Sequence, residues 1–205
     1  IFFLLTSELK VSNPPKTLFK NIVTIKSLWL IATVWALAAG ANFGVYSITP
    51  LYLTKELQLS IEFSNTILGI SRLASIGVSV ICGFFVDRFK LKKIMFLVLV
   101  IAGFLTIILG LAPVRSIGIV LFLQASIVTG FFPVSIVGIA RIFGKEMTGL
   151  ATGIILSIGF FIGGGIIPYL LGVSGDLYSF RSGITILGLF TTLASILVLR
   201  LRELE

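Results

Sequence analysis

Arg72 is the only charged residue well inside an apolar run long enough to cross a bilayer, and it frames the chemistry open to this chain. It stands about ten residues into its run, ~15 Å along a helix at ~1.5 Å per residue. With hydrocarbon ~30 Å thick, that depth is near the bilayer midplane. An arginine there costs ~2.5–3.5 kcal/mol or more unless it is paired or wetted. No acidic residue of this chain lies at matching depth. The expected partner is therefore water, a carbonyl, a carboxylate from elsewhere in a longer protein, or an anionic substrate. Asn65, Gly69, Arg72, Ser75, Ser79 and Gly83 recur at spacings of three and four and share one helix face. Such a polar or small stripe faces a cavity or another helix rather than lipid. Two readings stand side by side, substrate binding and structural pairing. A guanidinium fork matches planar oxyanions such as carboxylates, so the sharper expectation is an anionic small-molecule substrate. Asn42 and Tyr46 in the first run and Gln124 in the fourth are further polar groups at depth. Each either reaches a central cavity or hydrogen-bonds a neighbouring helix.

Six apolar segments must position these residues: Leu28–Leu53, Ser64–Val86, Ile94–Ala112, Ile117–Ala140, Gly149–Gly172 and Gly183–Leu199. Each meets the ~20-residue requirement of a spanning helix, and continuous runs of this kind do not arise from membrane strands, which alternate. The sequence predicts an all-α integral membrane protein with six transmembrane helices. Turn or cap residues are expected at Ser60, Ser64, Pro113, Ser116, Gly149 and Gly183. Residues 1–26 read as the end of a preceding helix (Ile1–Leu5) followed by a polar linker through Asn13-Pro14-Pro15. Residues 27–202 read as the bundle, split into repeats at 27–112 and 117–202, and residues 203–205 as a tail. On this reading the chain is a fragment that lacks a preceding N-terminal half.

Composition agrees. Of 205 residues 57% are hydrophobic and only 12% charged, and mean hydropathy is +1.16. That leaves too little polar side chain to cover a water-facing surface. The net charge of +8 does not indicate nucleic acid, because the basic residues form short clusters between apolar runs. Twelve Lys and Arg fall on one side of the predicted membrane and three (Lys55, Arg115 and Arg181) on the other. The richer side, with both chain ends, is expected to be cytoplasmic. With no histidine and a lone Cys82, no disulfide, zinc site or histidine-based catalysis is expected within the chain, and no cofactor or metal. The nearest phosphate-loop lookalike, Gly138…Gly144-Lys145-Glu146, has five intervening residues and lacks the Ser/Thr. A membrane enzyme, the membrane part of an ATP-driven pump and a non-transporting sensor are the competing classes.

The chain carries an internal echo. Gly83, Asp87 and Lys92 are matched 89 residues later by Gly172, Asp176 and Arg181, on the opposite predicted face. An inverted 3+3 repeat produces that relation. Glycines read mainly as packing residues: Ala36, Gly40 and Gly44, and Gly149, Gly153 and Ser157, have small-xxx-small spacing. Pro133, Gly163-Gly164-Gly165 and Pro168 predict kinks or breaks. The third and sixth segments lack proline, which suits lipid-facing positions. Asp87 closes the second segment, where a carboxylate opposes the helix dipole and calls for a compensating neighbour.

The stretch Gly83–Lys93 (GFFVDRFKLKK) resembles the loop signature of the major facilitator superfamily. Gly83, Asp87, Arg88 and Lys92 match it, while Lys90 replaces the usual glycine and Leu91 a usual basic residue. The resemblance implies half of a twelve-helix fold, its C-terminal six helices, with substrate held between halves that rock in alternating access. It implies a secondary transporter of a small solute, an organic anion on the Arg72 reading, with a drug, metabolite or sugar efflux permease as the alternative. By carry-over it makes Asp87, Arg88 and Lys92 candidate residues of a conformational latch.

Overall fold

The computed structural model describes residues 16–204, the side chains of Lys16, Thr17 and Asp87 excepted. The expected tail of a preceding helix at Ile1–Leu5 and the Asn13-Pro14-Pro15 linker lie outside the described residues. A short α1 (Lys16–Val23) leads into α2 (Lys26–Glu56), then α3 (Ile61–Arg88) and α4 (Leu91–Leu111). A single 3₁₀ turn, Val114–Ser116, precedes a helical stretch Ile117–Phe160 that continues through Phe161–Ile166 and Ile167–Leu177. The last long element is Phe180–Leu199.

Five of these stretches are long and apolar enough to cross a membrane, and one of them, Val114–Leu177, has 64 residues. At ~1.5 Å per residue it would run ~96 Å if straight, three times the hydrocarbon. It does not run straight. Gly144 has φ 65° and ψ 176°, a conformation that side chains rarely tolerate. The Trp35 ring meets Phe132 at 4.9 Å and Phe160 at 5.5 Å, although those two residues lie on either side of Gly144. Only a reversal at Gly144 brings both arms to one indole. The arms are labelled α5 (117–143) and α6 (145–177), and Phe180–Leu199 is α7.

Most helices extend beyond their apolar stretches, although α4 stops at Leu111, one residue short of Ala112. α3, expected over Ser64–Val86, spans Ile61–Arg88, because backbone hydrogen bonding continues into the polar flanks once a turn is nucleated. Ser60 caps it as predicted, accepting from Phe63 N at 3.2 Å. Three predicted turn or cap residues fall inside helices. Ser64 lies inside α3, Gly149 inside α6 and Gly183 inside α7, whose cap is Ser179, accepting from Ser182 N at 3.1 Å. Gly183 instead permits close approach: a Cβ there would come within 2.8 Å of Ser174 Oγ.

α2 is the central helix. Of its most apolar stretch 72% is buried, against 17% for α3. It packs on α5, α6 and α7, while α3 lies along α5 and α4 along α7. The α4–α7 pair is the closest: a Cβ at Gly188 would come within 2.5 Å of Ile107 N, and one at Gly103 within 2.6 Å of Thr192 N. One core cluster joins Leu28, Val86, Leu91, Phe143 and Leu201, so the lysine- and arginine-rich ends of the helices gather together. A second joins Tyr52, Leu109, Ile117 and Phe180 at the opposite end.

The predicted small-residue stripes behave differently. On α2, Gly40 and Gly44 pack under Ile167, and Gly163 packs against Ala36 O. On α6, Gly149 and Gly153 have open space where a Cβ would go. The expected kinks also take another form. α5 keeps helical dihedrals through Pro133, and Gly163-Gly164-Gly165 forms a π-helical turn, Phe161–Ile166, rather than a break.

At the end opposite the basic cluster, Glu56 closes α2 onto α7. Its Oε2 accepts from Phe180 N at 2.6 Å and its Oε1 lies 3.7 Å from Arg181 Nε. A carboxylate there satisfies an orphan N–H and complements the positive end of the helix dipole. Glu56→Ala is expected to lower stability by about 1.5 kcal/mol. A denaturation midpoint in detergent indistinguishable from that of the parent chain would refute this.

Candidate functional site

Midway along α2, Gly40–Gly44 forms a π-helical turn that carries Asn42. Single π turns widen the helix and expose carbonyls, and they recur at functional positions. Here two backbone oxygens of the turn accept from side chains of other helices. Ala41 O accepts from Gln124 Nε2 of α5 at 2.8 Å, and Asn42 O from Arg72 Nη2 of α3 at 3.4 Å. Gly163 of the second π turn lies against Ala36 O and Gly40 N, so two locally widened helices meet at this depth.

Arg72 reaches from α3 to α2. Its Nη1 donates to Asn42 Oδ1 at 2.6 Å, and its Cζ lies 3.9 Å above the centre of the Tyr46 ring. Asn42 and Tyr46 are one turn apart on the same face of α2. The Asn42 amide has a defined direction. Its Nδ2 donates to Thr129 Oγ1 at 3.2 Å, and Thr129 Oγ1 donates onward to Ala125 O at 2.7 Å. With donor and acceptor both engaged, the Asn42 oxygen is held toward the guanidinium. Asn42 is buried (4% exposed), Arg72 is half-buried, and Tyr46 is open (43% exposed).

No carboxylate among the described residues pairs with Arg72; the ion pair found among them is Arg181–Glu56. Neutral acceptors and one ring therefore position the guanidinium without cancelling its charge. A stacked, partly desolvated cation of this kind gains ~0.5–2 kcal/mol from the ring and keeps N–H groups for a further acceptor.

Arg72, Asn42 and Tyr46 are thus brought together. Gln124 is not at the same surface: it is 2% exposed, and its Nε2 also donates to Thr106 Oγ1 at 3.1 Å. It braces the π turn from behind. The polar stripe of α3 divides. Ser75 is buried and donates to Ala125 O at 3.1 Å, whereas Asn65 and Gly69 are exposed. Of the other candidates, Arg88 is exposed at the end of α3 and Lys92 partly buried in the first turn of α4; the Asp87 side chain lies outside the described residues.

Two features escaped sequence reasoning. Thr129, which fixes the Asn42 amide, looks like any hydroxyl in an apolar helix. Within the π turn, Phe43 packs on Phe132 at 5.6 Å and on Phe160 at 5.3 Å, tying α2 to α5 and α6. The aromatics sit in different segments, and nothing in their spacing shows that they meet.

Comparisons with known proteins point one way. The family model described as "Major Facilitator Superfamily" matches residues 2–131 and 31–205. No curated protein matched. Among solved structures, the E. coli fucose:proton symporter FucP aligns with TM-score 0.76 at 17% identity, over 90% of this chain and 45% of that one. At that identity the likeness concerns the fold, and this chain spans less than half the length of the symporter. With its apolar helices and a family match that extends over nearly all its residues, this multi-pass membrane chain belongs to the major facilitator superfamily.

Proposed function

We propose that the chain is the six-helix C-terminal half of a secondary transporter, not an enzyme, and that it moves a small organic anion by alternating access. One observation carries the substrate class: a midmembrane guanidinium held by Asn42 and Tyr46 with no carboxylate partner among the described residues. A group so placed offers an uncancelled positive charge and spare donors to whatever enters. Gln124 and Thr129 act as positioning residues. Asp87, Arg88 and Lys92 form the latch at the basic end, which faces the cytoplasm of a plasma or inner membrane, as do both ends of the chain. The reversal at Gly144 supports six crossings and two three-helix repeats. The open glycines of α3 and α6 (Gly69, Gly77, Gly149 and Gly153) support a second six-helix half that covers them.

A second reading is favoured by the fold neighbour, a fucose:proton symporter. On this reading the cargo is a neutral sugar, and Arg72 donates to hydroxyls. Uptake by proteoliposomes of the full-length protein separates the two. A panel of mono- and dicarboxylates, fucose and other neutral sugars is offered with and without a proton gradient. Saturable carboxylate uptake is expected. Uptake of sugars alone would sink the anion reading and leave the second.

A further inference from the structure

Where α3 and α4 leave one another at the basic end, a groove of about 680 Å³ opens between them. It exists because the two helices, though joined by a tight turn, scarcely touch one another: both pack on α5, and α4 lies chiefly along α7. Its charge is sharply segregated. The walls are apolar, with Phe85 on α3 and Leu97 and Ile101 on α4, and the cations Arg88, Lys90 and Lys93 stand at one end. None of the three cations has an ion-pair partner among the described side chains.

We propose that this groove holds one anionic phospholipid of the surrounding bilayer. Its phosphate lies against Arg88, Lys90 and Lys93, and an acyl chain runs along α4 to Ile101. Length supports this occupant. From Lys90 to Ile101 the helix rises ~16 Å, against ~15 Å for half the ~30 Å hydrocarbon core. The groove is therefore one leaflet deep, with its cations at headgroup level. Phe85, Leu97 and Ile101 are 47%, 53% and 44% exposed and need apolar company that a soluble anion does not bring. A zwitterionic lipid would set its own cation against three others, so charge complementarity selects a net negative headgroup. The site is separate from Arg72 and does not depend on what is transported.

The test uses the full-length protein in detergent with equimolar phosphatidylglycerol and phosphatidylcholine, and counts retained lipid by native mass spectrometry. The parent protein is expected to retain phosphatidylglycerol about tenfold over phosphatidylcholine. Lys90→Gln with Lys93→Gln should reduce that preference to near parity. Leu97→Trp should do so too by filling the groove with the cations intact. Ile101→Trp, on the same exposed wall, takes its place if Leu97→Trp melts early without lipid. No preference in the parent protein would overturn the proposal. So would a preference that survives all the variants, as expected if another segment of the protein covers the groove. A preference lost in the lysine variant but kept in both tryptophan variants would show diffuse surface attraction, and would overturn it as well.

Discussion

Under the proposed anion transport, Arg72→Ala is expected to lower uptake about a hundredfold, corresponding to ~2.8 kcal/mol at ~1.4 kcal/mol per factor of ten. That is the scale of a hydrogen bond to a charged group with its electrostatic attraction, made at a half-buried guanidinium. Arg72→Lys should recover part of the loss, to about tenfold below the parent, because an ammonium keeps the charge but lacks the planar fork. The most discriminating change is Asn42→Asp. A carboxylate at the position of an oxygen now 2.6 Å from Arg72 Nη1 would pair with the arginine internally and cancel the charge offered to a substrate. Anion uptake should fall as far as in Arg72→Ala while the folded fraction in detergent is kept. If Arg72 is only a structural strut, the outcome reverses. Arg72→Ala would then lose folded protein, and Asn42→Asp, which strengthens the strut, would transport normally. Uptake per folded molecule, measured for all three variants, decides between these roles.

Legibility from sequence followed the range of the forces involved. The membrane helices were legible because hydrocarbon imposes long uninterrupted apolar runs, and Arg72 because a charge within such a run has no ordinary explanation. The assembly of Arg72 with Asn42 and Tyr46 was less so. Periodicity places residues on a face of their own helix, but contact between α3 and α2 depends on the rotation and register of both. For the same reason periodicity presents the stripe from Asn65 to Gly83 as one surface, whereas Ser75 belongs to the buried line Ser64, Leu68, Ser71 and Ser75 that meets α5. The π turns were masked by glycines, which serve close packing and widened helices alike: Gly40 and Gly163 do both here. Glu56 carries no signal in the sequence because it lies beyond the apolar run, where a charge is ordinary; its role appears only where α7 starts against it.

That ambiguity of glycine yields the second large effect. Gly188→Val is expected to destabilise the chain by about 3 kcal/mol, the upper end of ordinary overpacking. The new Cβ would meet the backbone of α4, at Ile107 N (2.5 Å) and Gly103 O (2.9 Å), not the movable end of a side chain. Relief therefore requires α7 to withdraw from α4 along the closest helix pair of the bundle. Gly153→Ala on α6 should do the opposite in the 205-residue chain alone. Nothing lies within 4 Å of its Cβ position, and alanine is favoured over glycine in a helix by ~1 kcal/mol. In the full-length protein the sign of Gly153→Ala reports on what covers α6. A loss of stability there, against a gain in the chain alone, would mean that a helix of the proposed second half packs on this stripe. A gain in both would mean that lipid faces it, and would remove the open glycines as support for an interface. Gly188→Val should destabilise both forms alike, since α4 and α7 meet within this chain. A parent-like denaturation midpoint for Gly188→Val would contradict the close α4–α7 approach on which the arrangement of the bundle rests.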